Sequence, residues 1–364
     1  MIGKTLGIYI SIRFMKVLIA MILGLGFLIV TVDFIDQMRR ASEVENVSLL
    51  QLYSISLLRA PIFIERAFPF ACLFAAMITL TQLNSKMELV VVRASGVSAW
   101  QFLLPIALSA AVTGGLVATL YNPVAIYAFQ KSNDLAVKLL ADKGNHSYKF
   151  DSVHWIKQED DGGGSTIFNA QVTRKYGQLL DKVKIVRIDE HGKILERIDT
   201  KHAIHNGDHW LLINAVTTKP DGQITQKDSQ KLPTRLTPDE LIGIGGKPEE
   251  VPFWKLLDTA ERVEKSGTNG NPYLVQYHSL TALPLFLIAM ALLAATVSLR
   301  FVRFGQVGRM ILGGILSGFV LYTVTSLITS LGSNGVVPPM AAAWAPAFVA
   351  GLFGISILLH QEDG

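Results

Sequence analysis

Cysteine is nearly missing from this chain: Cys72 is the single one, so no intrachain disulfide can form. Because it falls inside an apolar stretch, it says nothing about compartment. Charge is also sparse, with 17% Asp, Glu, Lys and Arg against 50% hydrophobic residues and a net charge of +4. The basic residues do not gather into a patch, which argues against a nucleic-acid partner. Catalytic signatures are missing too. No HExxH, GxSxG or cysteine–histidine cluster occurs, so zinc proteases and the common membrane hydrolases find no support. The nearest approach to a phosphate loop, GIGGKP at Gly243–Pro248, lacks the required spacing and places Pro248 after Lys247 where Ser or Thr is needed. No catalytic residue, bound cofactor or metal site is assigned. Four of the eight histidines, His191, His202, His205 and His209, crowd one segment, but the flanking turns read as solvent-exposed loops.

What the chain has in quantity is apolar sequence. Mean hydropathy is +0.38, and six runs are long enough to cross a bilayer: about Phe14–Val32, Ala67–Leu83, Ala99–Tyr121, Ser279–Leu299, Met310–Leu331 and Val336–Leu359. Lipid satisfies no backbone group, so each should be a helix. The first run lacks a small-residue cleavage site and leads into charged, helix-like sequence, which marks a retained span. None of the runs carries the paired broken helices or carboxylate chain of an ion-coupled transporter, so energy must enter from elsewhere. Lys4, Arg13 and Lys16 place the N-terminus inside by the positive-inside rule, and counting spans leaves the C-terminal HQEDG inside as well. Arg300, Arg303 and Arg309 then also lie inside, and residues 125–270 outside.

Between the second and third runs lies a short polar seam, QLNSKMELVVVRASGVS at Gln82–Ser98. Lys86, Glu88 and Arg93 fall among Met87, Leu89, Val90, Val91 and Val92, so a helix over about 84–96 has a charged and an apolar side, with Gly96 ending it. Tethered to a span at each end and too charged to insert, it should lie at the membrane surface and dock a soluble partner. An ordinary solvated loop helix fits the same spacing.

Between the third and fourth runs the hydrophobic period drops from 3.6 toward 2, which marks a separate β domain. Candidate strands are Tyr148–Gln158, Thr166–Thr173, Leu179–Asp189, Lys193–His202, Trp210–Thr218 and Gln223–Lys227, punctuated by turns at 190–192, 206–207 and 220–222. A sandwich or a jelly roll satisfies this pattern. The stretch WLLINAV, Trp210–Val216, is apolar at both parities where a half-buried strand alternates. Either the surplus apolar face meets a neighbouring domain or the return helix, or the sandwich is open along one edge and Ile194, Leu211 and Ile213 lie along a slide for acyl chains. A polar helix over Pro252–Ser266 leads back to the membrane. The division is 1–125 for the first three spans, 126–250 for the β domain, 251–275 for the connecting helix and 276–364 for the last three spans.

Charged residues also gather near the outer ends of the spans: Asp33, Asp36, Arg39, Arg40, Arg59, Glu65, Arg66 and Lys131. They read either as snorkelling side chains with local ion pairs or as a basic rim, Arg39, Arg40, Arg66 and Lys131, that holds anionic headgroups.

FIDQMRR at Phe34–Arg40, MELVVVRASGVS at Met87–Ser98 and the order of three spans, β domain and three spans resemble the LptF/LptG permeases of the lipopolysaccharide-export ABC transporter. FIDQ and LTPDEL at Leu236–Leu241 are more similar to the LptG branch. The resemblance implies an α-helical membrane protein with six transmembrane helices and a jelly-roll-like periplasmic domain between helices 3 and 4. It implies a Gram-negative inner-membrane location and a transport subunit that extracts lipopolysaccharide and passes it to a periplasmic bridge protein. Expected partners are an LptF-like paralogue in a heterodimer, a dimer of a cytoplasmic ATPase that hydrolyses ATP with magnesium, and a single-span LptC-like protein. The seam would be the coupling helix, with Glu88 at the family's acidic docking position beside Lys86, Leu89 and Arg93. Arg39 and Arg40 match the family's basic pair, whereas Asp33 stands where the LptG pattern has lysine. A competing function is a mechanotransmitting ABC subunit that moves periplasmic partners without carrying lipid.

Overall fold

The computed structural model describes residues 4–42, 47–136, 139, 153–159, 164–170, 172–174, 179–234, 247–265, 269–300 and 307–363. The start of the first expected strand (Tyr148–Ser152), LTPDEL, Gly243–Gly246 and Arg303 lie outside them. The chain divides into two compact units, one helical, the other spanning Leu140–Val251 and Lys255–Tyr273.

In the helical unit α1 (Lys4–Ala41), α2 (Leu49–Ser85), the short α3 (Glu88–Ala94) and α4 (Ala99–Leu116) come first. A π-helical turn, Val117–Tyr121, joins α4 to α5 (Asn122–Ala136). After the β insertion and α6 (Leu256–Lys265) come α7 (Asn271–Arg300), α8 (Val307–Ser333) and α9 (Pro339–Asp363). Among the described residues, six helices are long and apolar enough to cross a membrane: Thr5–Ala41, Leu49–Ser85, Ala99–Ala136, Asn271–Leu299, Leu312–Ser333 and Pro339–His360. The first three outrun the apolar sequence. α1 has 38 residues, roughly 57 Å at 1.5 Å per residue, against about 30 Å of hydrocarbon. Its charged last turns therefore extend past the lipid core. α2 starts early for a local reason. Ser48 caps it, its hydroxyl accepting from Leu50 N, while Gln51 Oε1 accepts from Ser48 N, which satisfies orphan donors at both ends of the box.

The core of this unit gathers Phe14 and Leu18 of α1, Cys72, Leu73, Met77 and Leu80 of α2, Phe102 and Ile106 of α4, and Leu287 to Ala295 of α7. Small residues let the backbones approach. A Cβ on Gly114 would lie 2.6 Å from Pro284 Cα, so only glycine permits that contact between α4 and α7. α7 is largely buried, whereas α1 and α8 turn most of their apolar surface outward.

Among its described residues the second unit holds seven strands: β1 Val153–Glu159, β2 Ser165–Ala170, β3 Val172–Arg174, β4 Leu179–Ile188, β5 Ile194–His205, β6 His209–Thr218 and β7 Ile224–Pro233. They form one antiparallel sheet in the order β1-β2-β4-β5-β6-β7, with β3 also on β4. The hairpins turn through Gly192, Gly207 and Gly222, each at positive φ (80°, 84° and 84°), where glycine costs least. The sheet curls so that its two edges meet at one end, Thr234 Oγ1 donating to Gln158 Oε1 at 2.8 Å.

The double-parity apolar stretch has a physical explanation in this sheet. Trp210 and Leu212 are buried, Asn214 is exposed at φ +54°, and burial resumes at Ala215 and Thr217. The left-handed residue turns the strand over, so the same face is reached by even numbers before it and odd numbers after. β4 does the same at Lys182 (φ +51°), with Leu180 buried before it and Val183 and Ile185 after. In β5 Ile198 and Thr200 are buried, then Ala203. The reversal forms a line across three strands. Thr200 Oγ1 crosses it, donating to Ile213 O at 2.6 Å.

Candidate functional site

α2 ends without a glycine. Lys86 caps it, and Met87 follows at φ +60°, a left-handed conformation that costs an ordinary residue about 1 to 2 kcal/mol. That reversal starts α3 at once, Val91 N donating to Met87 O at 3.1 Å. Gly96, at φ +84°, ends the segment, and Ser98 caps α4 by accepting from Gln101 N. Leu89 is buried and anchors α3 to the bundle, while Met87, Val90 and Val91 are exposed large apolar residues. Lys86 is exposed, and Arg93 lies in the last turn of α3. The four expected coupling residues are thus gathered on or beside one short helix.

Glu88 is not a bare acid. Arg13 Nη1 of α1 lies 3.1 Å from each of its carboxylate oxygens and 2.9 Å from the Tyr9 hydroxyl, and that hydroxyl donates to Glu88 Oε2 at 3.0 Å. The Arg13 guanidinium lies 5.9 Å from the Tyr9 ring centroid. Sequence reasoning used Arg13 only to orient the first span. A signal was present: a cation at the start of an apolar run, one turn after a tyrosine, needs a partner of opposite charge.

At the other end of the apolar runs, Asp36 holds both expected headgroup arginines, Arg39 Nη2 at 2.9 Å and Arg40 Nε at 2.6 Å. Both arginines are exposed, as are Arg66 and Lys131. Asp33 has a partner of its own: Arg59 Nη1 of α2 lies 3.9 Å away, and Arg59 also donates to Asn133 Oδ1 of α5 at 3.0 Å and sits 5.7 Å from the Phe129 ring centroid. An acid at position 33 therefore joins α1 to α2 and, through Arg59, to α5.

A further polar cluster surrounds Asn122, which the sequence did not single out. Its Nδ2 donates to Glu65 Oε1 of α2 and its Oδ1 accepts from Phe253 N, both at 2.9 Å. The π turn beside it leaves Thr119 O to accept from Trp254 Nε1 at 3.1 Å. Phe253 stacks on Tyr277 with centroids 5.3 Å apart.

In the sheet, Leu211 and Ile213 are half-buried on the face away from Trp210 and Leu212, paired with Ile204 and His202. Ile194 is exposed at the start of β5, paired with Ile188, and does not join them in one row. Of the four crowded histidines, His202, His205 and His209 lie in strands, not loops, because β5 runs on to residue 205 and β6 begins at 209. His202 Nδ1 meets Asp181 Oδ1 at 2.7 Å and His205 packs edge-on against Trp210. Among the described residues, no group of three or more His, Cys, Asp or Glu is placed to hold a metal ion.

Comparison with known proteins gives one family. The family described as Lipopolysaccharide export system permease LptF/LptG matches residues 8–360. The chain is 25% identical to the Lipopolysaccharide export system permease protein LptG of Escherichia coli (strain K12) over 349 residues, 91% of each chain. It is 24% identical to the protein of that name from Haemophilus influenzae over 361 residues, 97% of each.

Proposed function

The chain belongs to the lipopolysaccharide export permease family LptF/LptG, and from that premise we propose that it is the permease subunit of an ABC transporter that lifts lipopolysaccharide from the outer leaflet of the inner membrane. It pairs with an LptF-like paralogue, takes its energy from a cytoplasmic ATPase dimer that hydrolyses ATP, and passes lipid to a periplasmic bridge with a single-span LptC-like partner alongside. Both termini are cytoplasmic and the β domain is periplasmic. The observation that carries this reading is α3: a seven-residue helix fixed between two spans, with exposed Met87, Val90 and Val91 around a carboxylate at Glu88. A basic groove with an apolar floor on an ATPase is complementary to that surface.

At the outer rim, Arg39 and Arg40 hold phosphate groups of the lipid by exchanging Asp36 for them, with Arg66 and Lys131 adding charge. Asp33, already facing Arg59, contributes no headgroup contact, so the loading site suits a lipid with fewer or differently placed anionic groups. Acyl chains move along the sheet past Leu211 and Ile213, with Ile194 near the hairpin.

The deciding experiment purifies the complex with Glu88→Lys and measures how much ATPase stays bound and how much lipid is transferred. Loss of both is expected. Unchanged retention and transfer would remove α3 from the coupling role. Photo-crosslinkers at Leu211 and Ile213 should capture lipopolysaccharide only when ATP is present. A transporting complex with no capture anywhere in the spans or sheet would favour the competing, purely mechanical role.

A further inference from the structure

Three features of the α1–α3 contact do not follow from a docking acid alone. The carboxylate of Glu88 has about four acceptor sites, and Arg13 and Tyr9 use three of them. One site is left for a cation from outside, so docking need not break the internal pair. The apolar packing behind the pair is incomplete: a void of about 20 Å³, enough for one water, opens among Tyr9, Ile10, Leu83, Glu88, Leu89 and Phe102. The polar link therefore adds to the apolar anchor at Leu89. Finally, Arg13 is only 15% exposed at its side chain and lies between buried Ile10 and Phe14, where a cation needs a fixed acid.

We infer that Arg13, with Tyr9, is a positioning pair that holds Glu88 for the ATPase and fastens the first span to α3, so that force applied to α3 moves α1 as well as α2 and α4. α1 is one continuous helix. A displacement at Arg13 therefore reaches Asp33 and Asp36, roughly 30 Å along the rod at 1.5 Å per residue. α1 also packs along α2 and α4 through Ile10, Phe14 and Leu18, so the pair adds a direct link from α3 to a helix that otherwise follows only through that packing. The inference rests on the reading of α3 as the ATPase dock.

The test uses the complete transporter in lipid nanodiscs and three quantities: ATPase retained per permease, ATP hydrolysed, and lipopolysaccharide transferred per ATP. Arg13→Gln should keep the ATPase bound but lower transfer per ATP by about tenfold, within the usual range for a coupling between sites. Arg13→Lys keeps the charge but lacks the second nitrogen that reaches Gln82 Oε1 and should give an intermediate loss, and Tyr9→Phe a smaller one. A nitroxide at Ile35→Cys, an exposed position near the far end of α1, should respond to ATP in the parent and not in Arg13→Gln. If Glu88→Gln impairs retention and transfer while Arg13→Gln, Arg13→Lys and Tyr9→Phe all transfer within about twofold of the parent, the positioning role is overturned and the dock survives. If Glu88→Gln changes nothing, the dock itself falls and the inference with it. Should Arg13→Gln fail to assemble, Arg13→Lys and Tyr9→Phe decide: parent-like transfer per ATP in both overturns the inference.

Discussion

Two polar joints link the helices, one at Glu88 between α1 and α3 and one at Glu65 between α2 and α5, and they are built on opposite principles. At the seam a carboxylate meets a guanidinium and a phenol, Arg13 and Tyr9, with the acid one-third exposed. At the other site a carboxylate meets an amide, Asn122, which is itself fully buried and committed on its other side to Phe253 N. The difference teaches what each can do. A carboxylate partly open to water, with an acceptor site still free, can gain a partner at little net cost. A carboxylate bonded to a buried amide cannot trade that partner for water, although the charge of Arg66 also acts on it, so that joint is permanent.

The largest effect expected from this comparison is at Asn122. Asn122→Ala strips a donor from Glu65 and an acceptor from Phe253 N, each loss leaving a buried polar group unpaired, for a total of about 2 to 4 kcal/mol. The melting temperature of the detergent-purified protein should fall accordingly, and Glu65→Gln added to Asn122→Ala should recover part of the loss. A melting temperature equal to the parent's would mean that the joint is not permanent. Next comes Gly114→Ala. A methyl 2.6 Å from Pro284 Cα must push α4 from α7, at about 1 to 3 kcal/mol, again read as melting temperature.

On the exchangeable side, Asp36→Asn removes the acid shared by Arg39 and Arg40. It should increase copurified anionic lipid severalfold and steepen its loss with salt, with a stability change within about 1 kcal/mol. Arg39→Ala with Arg40→Ala should do the reverse, and lipid content indifferent to both variants would reduce the rim to local ion pairs. The smallest effect is at Met87, where Met87→Gly relieves the left-handed strain at φ +60°. The gain should be no more than about 1 kcal/mol, since glycine also frees the unfolded chain. A loss of stability there would show that the exposed Met87 side chain packs on something.

How much of this was legible in the sequence varies with the range of the interaction. The strand from Leu179 and the one from Trp210 start within a residue of where alternation and turn residues put them, because period and turn chemistry are local. WLLINAV was legible as an anomaly but not as a parity reversal. The left-handed turn at Asn214 is held by Thr200 of the neighbouring strand, which no window along β6 contains. α2 and α4 begin at Ser48 and Ser98 through capping chemistry that is likewise local. Glu88 was legible as an acid on a short helix, and Arg13 only as a cation near a span.

By itself, then, the sequence determined where the chain crosses the membrane and where it forms a sheet. Those choices depend on hydrophobic runs, backbone groups that must pair within a segment, and turns of a few residues. Only the tertiary structure decided which acid answers which base. Arg13 and Glu88 are 75 positions apart, and Asp33 finds Arg59 on another helix. A charge in an apolar bundle must find a partner, but helix packing, not sequence distance, sets which one comes within reach.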